Sequence, residues 1–209
     1  MKKALLMLTM VTLGFVNLSA QFETVNLPLA LGVEIGYKAG INASEVPQGI
    51  KNGLNFANLP DFGLQTYVPF QGQSKMGLLA NLGYYTFPYK LSYEGNSEDT
   101  KYNFSYIGFG ADFYISGFTI GLNYGFPSAA TIGDFDLNTD LLANMFEFRI
   151  GGHITLIETP TGRFNLNIRA GYFISGQYND DRQILGKNSN PASLMVGLSY
   201  LFNLQETEE

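Results

Sequence analysis

The chain has 209 residues, no cysteine, and 18 acidic against 12 basic side chains, a formal net charge of −6 at pH 7. Without cysteine, disulfide staples and thiolate metal sites are excluded; the acidic balance, with no basic stripe, argues against a nucleic-acid partner, whose phosphates are held by clustered Lys and Arg. A mean hydropathy near zero, with 24 Gly, 17 Phe and 13 Tyr, suits strands with one apolar and one small or polar face better than a soluble helical enzyme.

The first twenty residues read as a cleaved secretory signal. Lys2 and Lys3 precede an apolar stretch from Ala4 to Val16, and Leu18-Ser19-Ala20 supplies the small-residue exit before Gln21. No other apolar run reaches the roughly 18 residues a membrane-spanning helix needs. The organisation expected is therefore a signal peptide over 1–20 and one β-barrel domain over 21–209. Losing Lys2 and Lys3 takes the mature domain to 10 basic against 18 acidic residues.

Eight candidate strands follow. Over 29–41, Leu29, Leu31, Val33, Ile35, Tyr37 and Ala39 share one face, and Gly32, Glu34, Gly36, Lys38 and Gly40 the other, a strict period of two. A long connector, 42–57, leads to a strand over 59–70 with Phe62, Leu64, Thr66, Val68 and Phe70 opposite Asp61, Gly63, Gln65 and Tyr67; Pro60 and Pro69 limit its regular part. The short connector 71–73 gives way to a strand over 74–87, where Leu78, Ala80, Leu82 and Tyr84 oppose Gly77, Asn81 and Gly83 with Leu79 as an apolar intruder. Residues 88–101 are polar and read as a loop.

Ile107, Phe109, Ala111, Phe113 and Ile115 form the fourth strand's apolar face, against Gly108, Gly110, Asp112 and Tyr114. Ser116-Gly117 turns the chain tightly. The fifth strand sets Phe118, Ile120, Leu122, Tyr124 and Phe126 against Thr119, Gly121, Asn123 and Gly125, before a long connector over 127–142. In the sixth, over 143–157, Phe146, Phe148, Ile150, Gly152, Ile154 and Leu156 oppose Glu147, Arg149, Gly151, His153 and Thr155. After a short turn at 158–162, the seventh sets Phe164, Leu166, Ile168, Ala170, Tyr172 and Ile174 against Asn165, Asn167, Arg169, Gly171 and Phe173. A loop over 175–191 precedes the last strand, with Leu194, Val196, Leu198, Tyr200 and Phe202 on its apolar face, and a polar tail over 205–209.

The uncharged, bulky face occurs on nearly every strand, and the other face carries Glu34, Lys38, Asp112, Glu147, Arg149 and Arg169 among glycines. A soluble barrel has these preferences reversed. The expected fold is thus all-β: an eight-stranded antiparallel up-and-down transmembrane β-barrel, lipid outside and paired charges inside, with no sheet edge left in hydrocarbon. The connectors alternate long and short, which puts 42–57, 88–101, 127–142 and 175–191 together on the outer side if both chain ends are periplasmic. Tyr37, Tyr84, Phe87, Tyr102, Phe126, Tyr200 and Phe202 are expected to form interfacial girdles.

Three groups of residues invite chemistry. His153, the single histidine, has Thr155 and Glu158 nearby, a faint echo of the His, Ser and acid with which some membrane barrels hydrolyse lipid A; a hydrogen-bonded lumen residue is the reading taken. Asp134, Asp136, Asn138 and Asp140 alternate oxygen ligands as calcium sites do, without the glycine and terminal Glu of the helix-loop-helix motif, and Asp180-Asp181-Arg182 carries less signal. The lumen charges would line a pore, but eight strands enclose a space that side chains nearly fill. No catalytic, cofactor-binding or metal-ligating set is assigned, and no enzyme activity is expected.

Segments such as Tyr106-Ile107-Gly108-Phe109-Gly110-Ala111-Asp112-Phe113-Tyr114 and Ala170-Gly171-Tyr172-Phe173 resemble the small outer-membrane β-barrel domain proteins of Bacteroidetes-type bacteria and, more loosely, the OmpA/OmpX-like barrels. That resemblance spans about residues 22–204 and implies a cell outer-membrane location. The partners it implies are outer-membrane lipid and lipopolysaccharide, the barrel-assembly machinery during insertion, and an extracellular protein. A structural or surface-interaction role through the loops is the leading expectation; a narrow ion or small-solute channel and a lipid-modifying enzyme are the alternatives.

Overall fold

The structure is a computed structural model and describes residues 27–70, 75–95, 98–179 and 189–204. Eight strands form the wall: β1 (Ala30–Asn42), β2 (Asp61–Pro69), β3 (Met76–Tyr93), β4 (Thr100–Ile115), β5 (Phe118–Ile132), β6 (Met145–Thr159), β7 (Gly162–Phe173) and β8 (Pro191–Asn203). Each pairs antiparallel with its neighbours in sequence, and β8 pairs with β1 over its whole length, from Ala30 opposite Asn203 to Asn42 opposite Pro191. That last ladder closes the sheet and removes its edges.

Strict alternation creates the two surfaces. On β1, Leu31, Val33, Ile35 and Tyr37 are exposed, whereas Gly32, Glu34, Gly36 and Lys38 are buried. The pattern repeats with Phe62 and Leu64, Ile107, Phe109 and Phe113, Ile120 and Leu122, and Leu194, Val196 and Leu198 on the outside. An apolar exterior running round the whole barrel is far larger than a protein in water leaves exposed. Hydrocarbon is the solvent that makes it favourable, and closure satisfies the backbone there.

Turns and loops segregate to opposite ends. Ser116 and Gly117 both adopt positive φ, 49° and 88°, the two-residue geometry that matches the twist of the β4–β5 hairpin. Pro160 and Thr161 suffice between β6 and β7, because Thr159 and Gly162 already pair. These turns share an end of the barrel with Leu27 and Leu204. The opposite, loop end carries the connectors β1–β2, β3–β4, β5–β6 and β7–β8.

The loop end is more ordered than composition suggests. Residues 88–101, expected as a loop, are mostly strand: β3 runs to Tyr93, β4 begins at Thr100, and Lys90 pairs opposite Lys101. The polar composition concealed a period of two that continues through Tyr85, Phe87, Tyr89 and Leu91. Pro88 is tolerated because β2–β3 pairing stops at Phe62 opposite Tyr84. The Thr86 N–H on that side bonds instead to the Asp61 carboxylate at 2.8 Å. Two residues further on, Pro88 has no ladder partner to lose there.

Connector 42–57 likewise holds two short strands, Ile50–Gly53 against β3 and Asn55–Phe56 against β1. In 127–142, β5 continues to Ile132, Phe135–Asp136 pairs back on it, and Thr139–Leu141 forms a 3₁₀ turn. The expected signal over 1–20, the turn 71–73, the group 180–182 and the tail 205–209 lie outside the described residues.

Candidate functional site

The lumen is built in three layers, each from inward-facing positions. At the turn end Leu27, Ala30, Tyr67, Leu79 and Leu201 pack together with Tyr114 against them, and the guanidinium of Arg163 lies 5.2 Å from the Tyr67 ring centre. Leu79, which looked like an intruder in a polar face, belongs to this apolar floor.

The middle layer is polar and organised round two carboxylates. Glu34 of β1 accepts hydrogen bonds from Gln65 Nε2 of β2 at 2.6 Å, Asn167 Nδ2 of β7 at 2.9 Å and Arg169 Nη2 of β7 at 3.0 Å. Asp112 of β4 accepts from Asn81 Nδ2 of β3 at 2.9 Å, and from Nε and Nη2 of Arg149 on β6. Each arginine reaches across an intervening strand, β8 in the first case and β5 in the second. Room for the second pair comes from two glycines: a Cβ on Gly110 would stand 2.4 Å from Arg149 Nη2, and one on Gly121 would stand 2.2 Å from Asp112 Oδ1. Lys38 and Asp61 form a third pair at 2.7 Å, and Asn123 Nδ2 donates to Glu147 at 3.1 Å.

Among the described residues the buried carboxylates Glu34, Asp61, Asp112 and Glu147 equal in number the buried bases Lys38, Arg149, Arg163 and Arg169. That balance is what burial demands, since an unpaired charge in a low-dielectric interior costs several kcal/mol. The space left between Lys38, Glu147, Arg149 and Arg169 is about 10 Å³, room for about one water.

The loop end is closed by an aromatic layer. Tyr85, Phe87, Tyr89 and Leu91 of β3 meet Tyr102, Phe104 and Tyr106 of β4, Met145 of β6, Phe173 of β7 and Tyr178 of the last loop. Phe87 stands edge-on to Phe173 at 5.1 Å, and Tyr89 stacks on Tyr102 at 4.8 Å. Lys38 Nζ lies 4.3 Å from the Phe87 ring centre and so joins the polar and aromatic layers. Phe87 and Tyr102, expected in the lipid girdles, are therefore inside the barrel; Tyr37, Phe126 and Phe202 are exposed on its outer wall.

All six charges expected in the lumen, Glu34, Lys38, Asp112, Glu147, Arg149 and Arg169, are buried there. Arg163 is additional, as are the hydrogen-bonding roles of Asn81, Asn123 and Asp61; alternation from Asn165 back to Arg163 could have found the arginine. His153 is buried in the lumen beside Tyr114, with ring centres 6.3 Å apart. Its echo of a catalytic group is not assembled: the Thr155 hydroxyl donates to Asn165 Oδ1 at 2.9 Å, and Glu158 is exposed near the β6–β7 turn. Among the described residues no three acidic or histidine side chains converge on a metal site. Asp134 is in a turn, Asp136 in a strand and Asp140 in the 3₁₀ turn, where its N–H bonds to Asn138 Oδ1.

A closed antiparallel barrel of eight strands, apolar outside and charge-balanced within, is the architecture of the small outer-membrane β-barrel proteins, and this chain is an integral outer-membrane barrel. No family model and no curated protein matches it. Among solved structures it is similar to the outer membrane protein OprG from Pseudomonas aeruginosa, with 16% identity over 87% of this chain and 100% of that one and a TM-score of 0.42. Neisserial surface protein A shares 13% identity over 82% of this chain and 95% of its own, with a TM-score of 0.45. Ail of Yersinia pestis, solved with the heparin analogue sucrose octasulfate, shares 12% over 84% and 100%, with a TM-score of 0.38.

Proposed function

We propose that this protein works at the membrane surface and not through its lumen: a sealed barrel, inserted by the barrel-assembly machinery, holds the loop-end rim outside the cell. There the rim meets lipopolysaccharide or an extracellular protein. The observation that carries this reading is the layering of the lumen. Three ion pairs, Lys38–Asp61, Arg149–Asp112 and Arg169–Glu34, engage most of its charges, and apolar layers pack above and below them. A conducting path needs continuous water along polar groups, and the gap among Lys38, Glu147, Arg149 and Arg169 in the middle layer has room for about one molecule of it.

Because the chain has no cysteine, one can be introduced as a unique label. Asp134→Cys at the loop end and Ser116→Cys at the turn end are treated on intact cells with a membrane-impermeant maleimide. Labelling of the Asp134→Cys protein alone supports the reading. Labelling of the Ser116→Cys protein alone, or of neither in cells whose lysate contains the folded barrel, overturns it.

A further inference from the structure

The rim carries a cluster of lysines, bordered by Glu94, Glu98 and Asp99 at the hairpin tip, that the lumen does not use. Lys90 of β3 lies directly opposite Lys101 of β4, and the strand Ile50–Gly53 on the other side of β3 puts Lys51 opposite Ser92. Directly opposed residues, and residues two apart along a strand, share a face, so Lys51, Lys90, Ser92 and Lys101 project together. The other face of the same ribbon, with Tyr89, Leu91 and Tyr102, is buried in the aromatic layer. The lysines therefore face outward.

Two features hold Lys90 in place. Gly53 leaves Lys90 its place: a Cβ there would stand 2.7 Å from Lys90 Cε. Asp99 then accepts from both Lys90 and Ser92. This carboxylate pairs with Lys90 and lies within electrostatic reach of Lys101, and Lys51 and Lys101 are exposed. Like charges placed directly across a ladder are destabilising; Asp99 offsets that repulsion at Lys90, and an external anion would offset it further at Lys51 and Lys101.

The same segment continues into the lipid-facing wall. Leu54, Phe56 and Leu59 are 53%, 62% and 55% exposed, and Phe56 pairs opposite Ala39 of β1, between the exposed Tyr37 and Ile41. Apolar side chains below a lysine cluster match the order of layers at a membrane surface, acyl chain and then charged headgroup.

We infer that Lys51, Lys90 and Lys101 bind the phosphate of a phosphorylated glycolipid in the outer leaflet, with Leu54, Phe56 and Leu59 seated among its acyl chains. This deepens the surface-interaction reading and rests on it. The full-length mature barrel in detergent is examined by native mass spectrometry with bis-phosphorylated lipid A, with the same lipid enzymatically dephosphorylated, and with inorganic phosphate as competitor. The Lys51→Gln/Lys101→Gln variant serves as comparison, and heat-modifiable migration shows that both proteins are folded.

Wild type is expected to retain the phosphorylated lipid at least about tenfold better than the variant, the scale of two lysines at an anionic surface. The dephosphorylated lipid should show no such difference. Equal retention by the two proteins, or equal retention of the two lipids, overturns the inference, as does displacement by millimolar phosphate, which would make this a free-phosphate site. Each of these outcomes leaves the sealed, surface-exposed barrel standing. Loss of that reading would appear separately, in the maleimide labelling.

Discussion

The middle and the loop end of one lumen are filled by the same alternation of strands in opposite ways. In the middle, charged groups from different strands meet with defined geometry; at the loop end, rings from β3, β4 and β7 fill space by packing on one another, with hydroxyl contacts such as Tyr93 to Tyr102 at its margin. The two hubs divide the barrel, Glu34 tying β1, β2 and β7, and Asp112 tying β3, β4 and β6. A one-residue slip in any of these strands would turn a hub residue toward lipid. The polar layer therefore specifies register, and the aromatic layer supplies closure.

The sharpest way to break this contrast is to remove one member of a hub. Arg149→Met leaves Asp112 buried without its counter-charge and should cost about 3–5 kcal/mol in urea unfolding from detergent, with much of the loss recovered in Asp112→Leu/Arg149→Met. No recovery in the double variant would mean that the pair is not the source of the cost. Phe104→Ala in the aromatic layer should also cost about 3–5 kcal/mol, as a cavity of that size does. Phe104→Leu, which keeps most of the volume, should cost less than about 1.5 kcal/mol. A similarly mild Glu34→Leu would erase the distinction between the layers.

How far the sequence reached follows the same division. Strand number, closure and the inward direction of Glu34, Lys38, Asp112, Glu147, Arg149 and Arg169 were readable, because a period of two is local and the uncharged face is unbroken. Partner choice was not, since Glu34 with Arg169 and Asp112 with Arg149 depend on stagger across an intervening strand. The aromatic layer was missed for another reason: Pro88 and the polar residues 94–101 masked a period that runs on through Tyr89 and Leu91. The lysine patch depends on the strand Ile50–Gly53 pairing with β3, which no local pattern announces.

A smaller effect sharpens the picture at the rim, outside the membrane. The hydrogen bond from Lys90, with that from Ser92, holds the Asp99 carboxyl below its ordinary range. A carboxylate depressed in the folded state contributes stability above its unfolded pKa and loses it as pH falls through the folded value. Amide exchange at the tip of the β3–β4 hairpin should therefore quicken below about pH 4. Lys90→Gln should weaken that step, while the barrel's global unfolding stays nearly unchanged.

The central claim is that the lumen is sealed, and single-channel recording in planar bilayers tests it most directly. Purified protein, shown to be folded by heat-modifiable migration before insertion, should give a flat current trace in salt over the full voltage range. Discrete steps whose size or ion preference changes in Arg149→Met or Arg169→Met would contradict it, because current would then be passing through the polar middle layer.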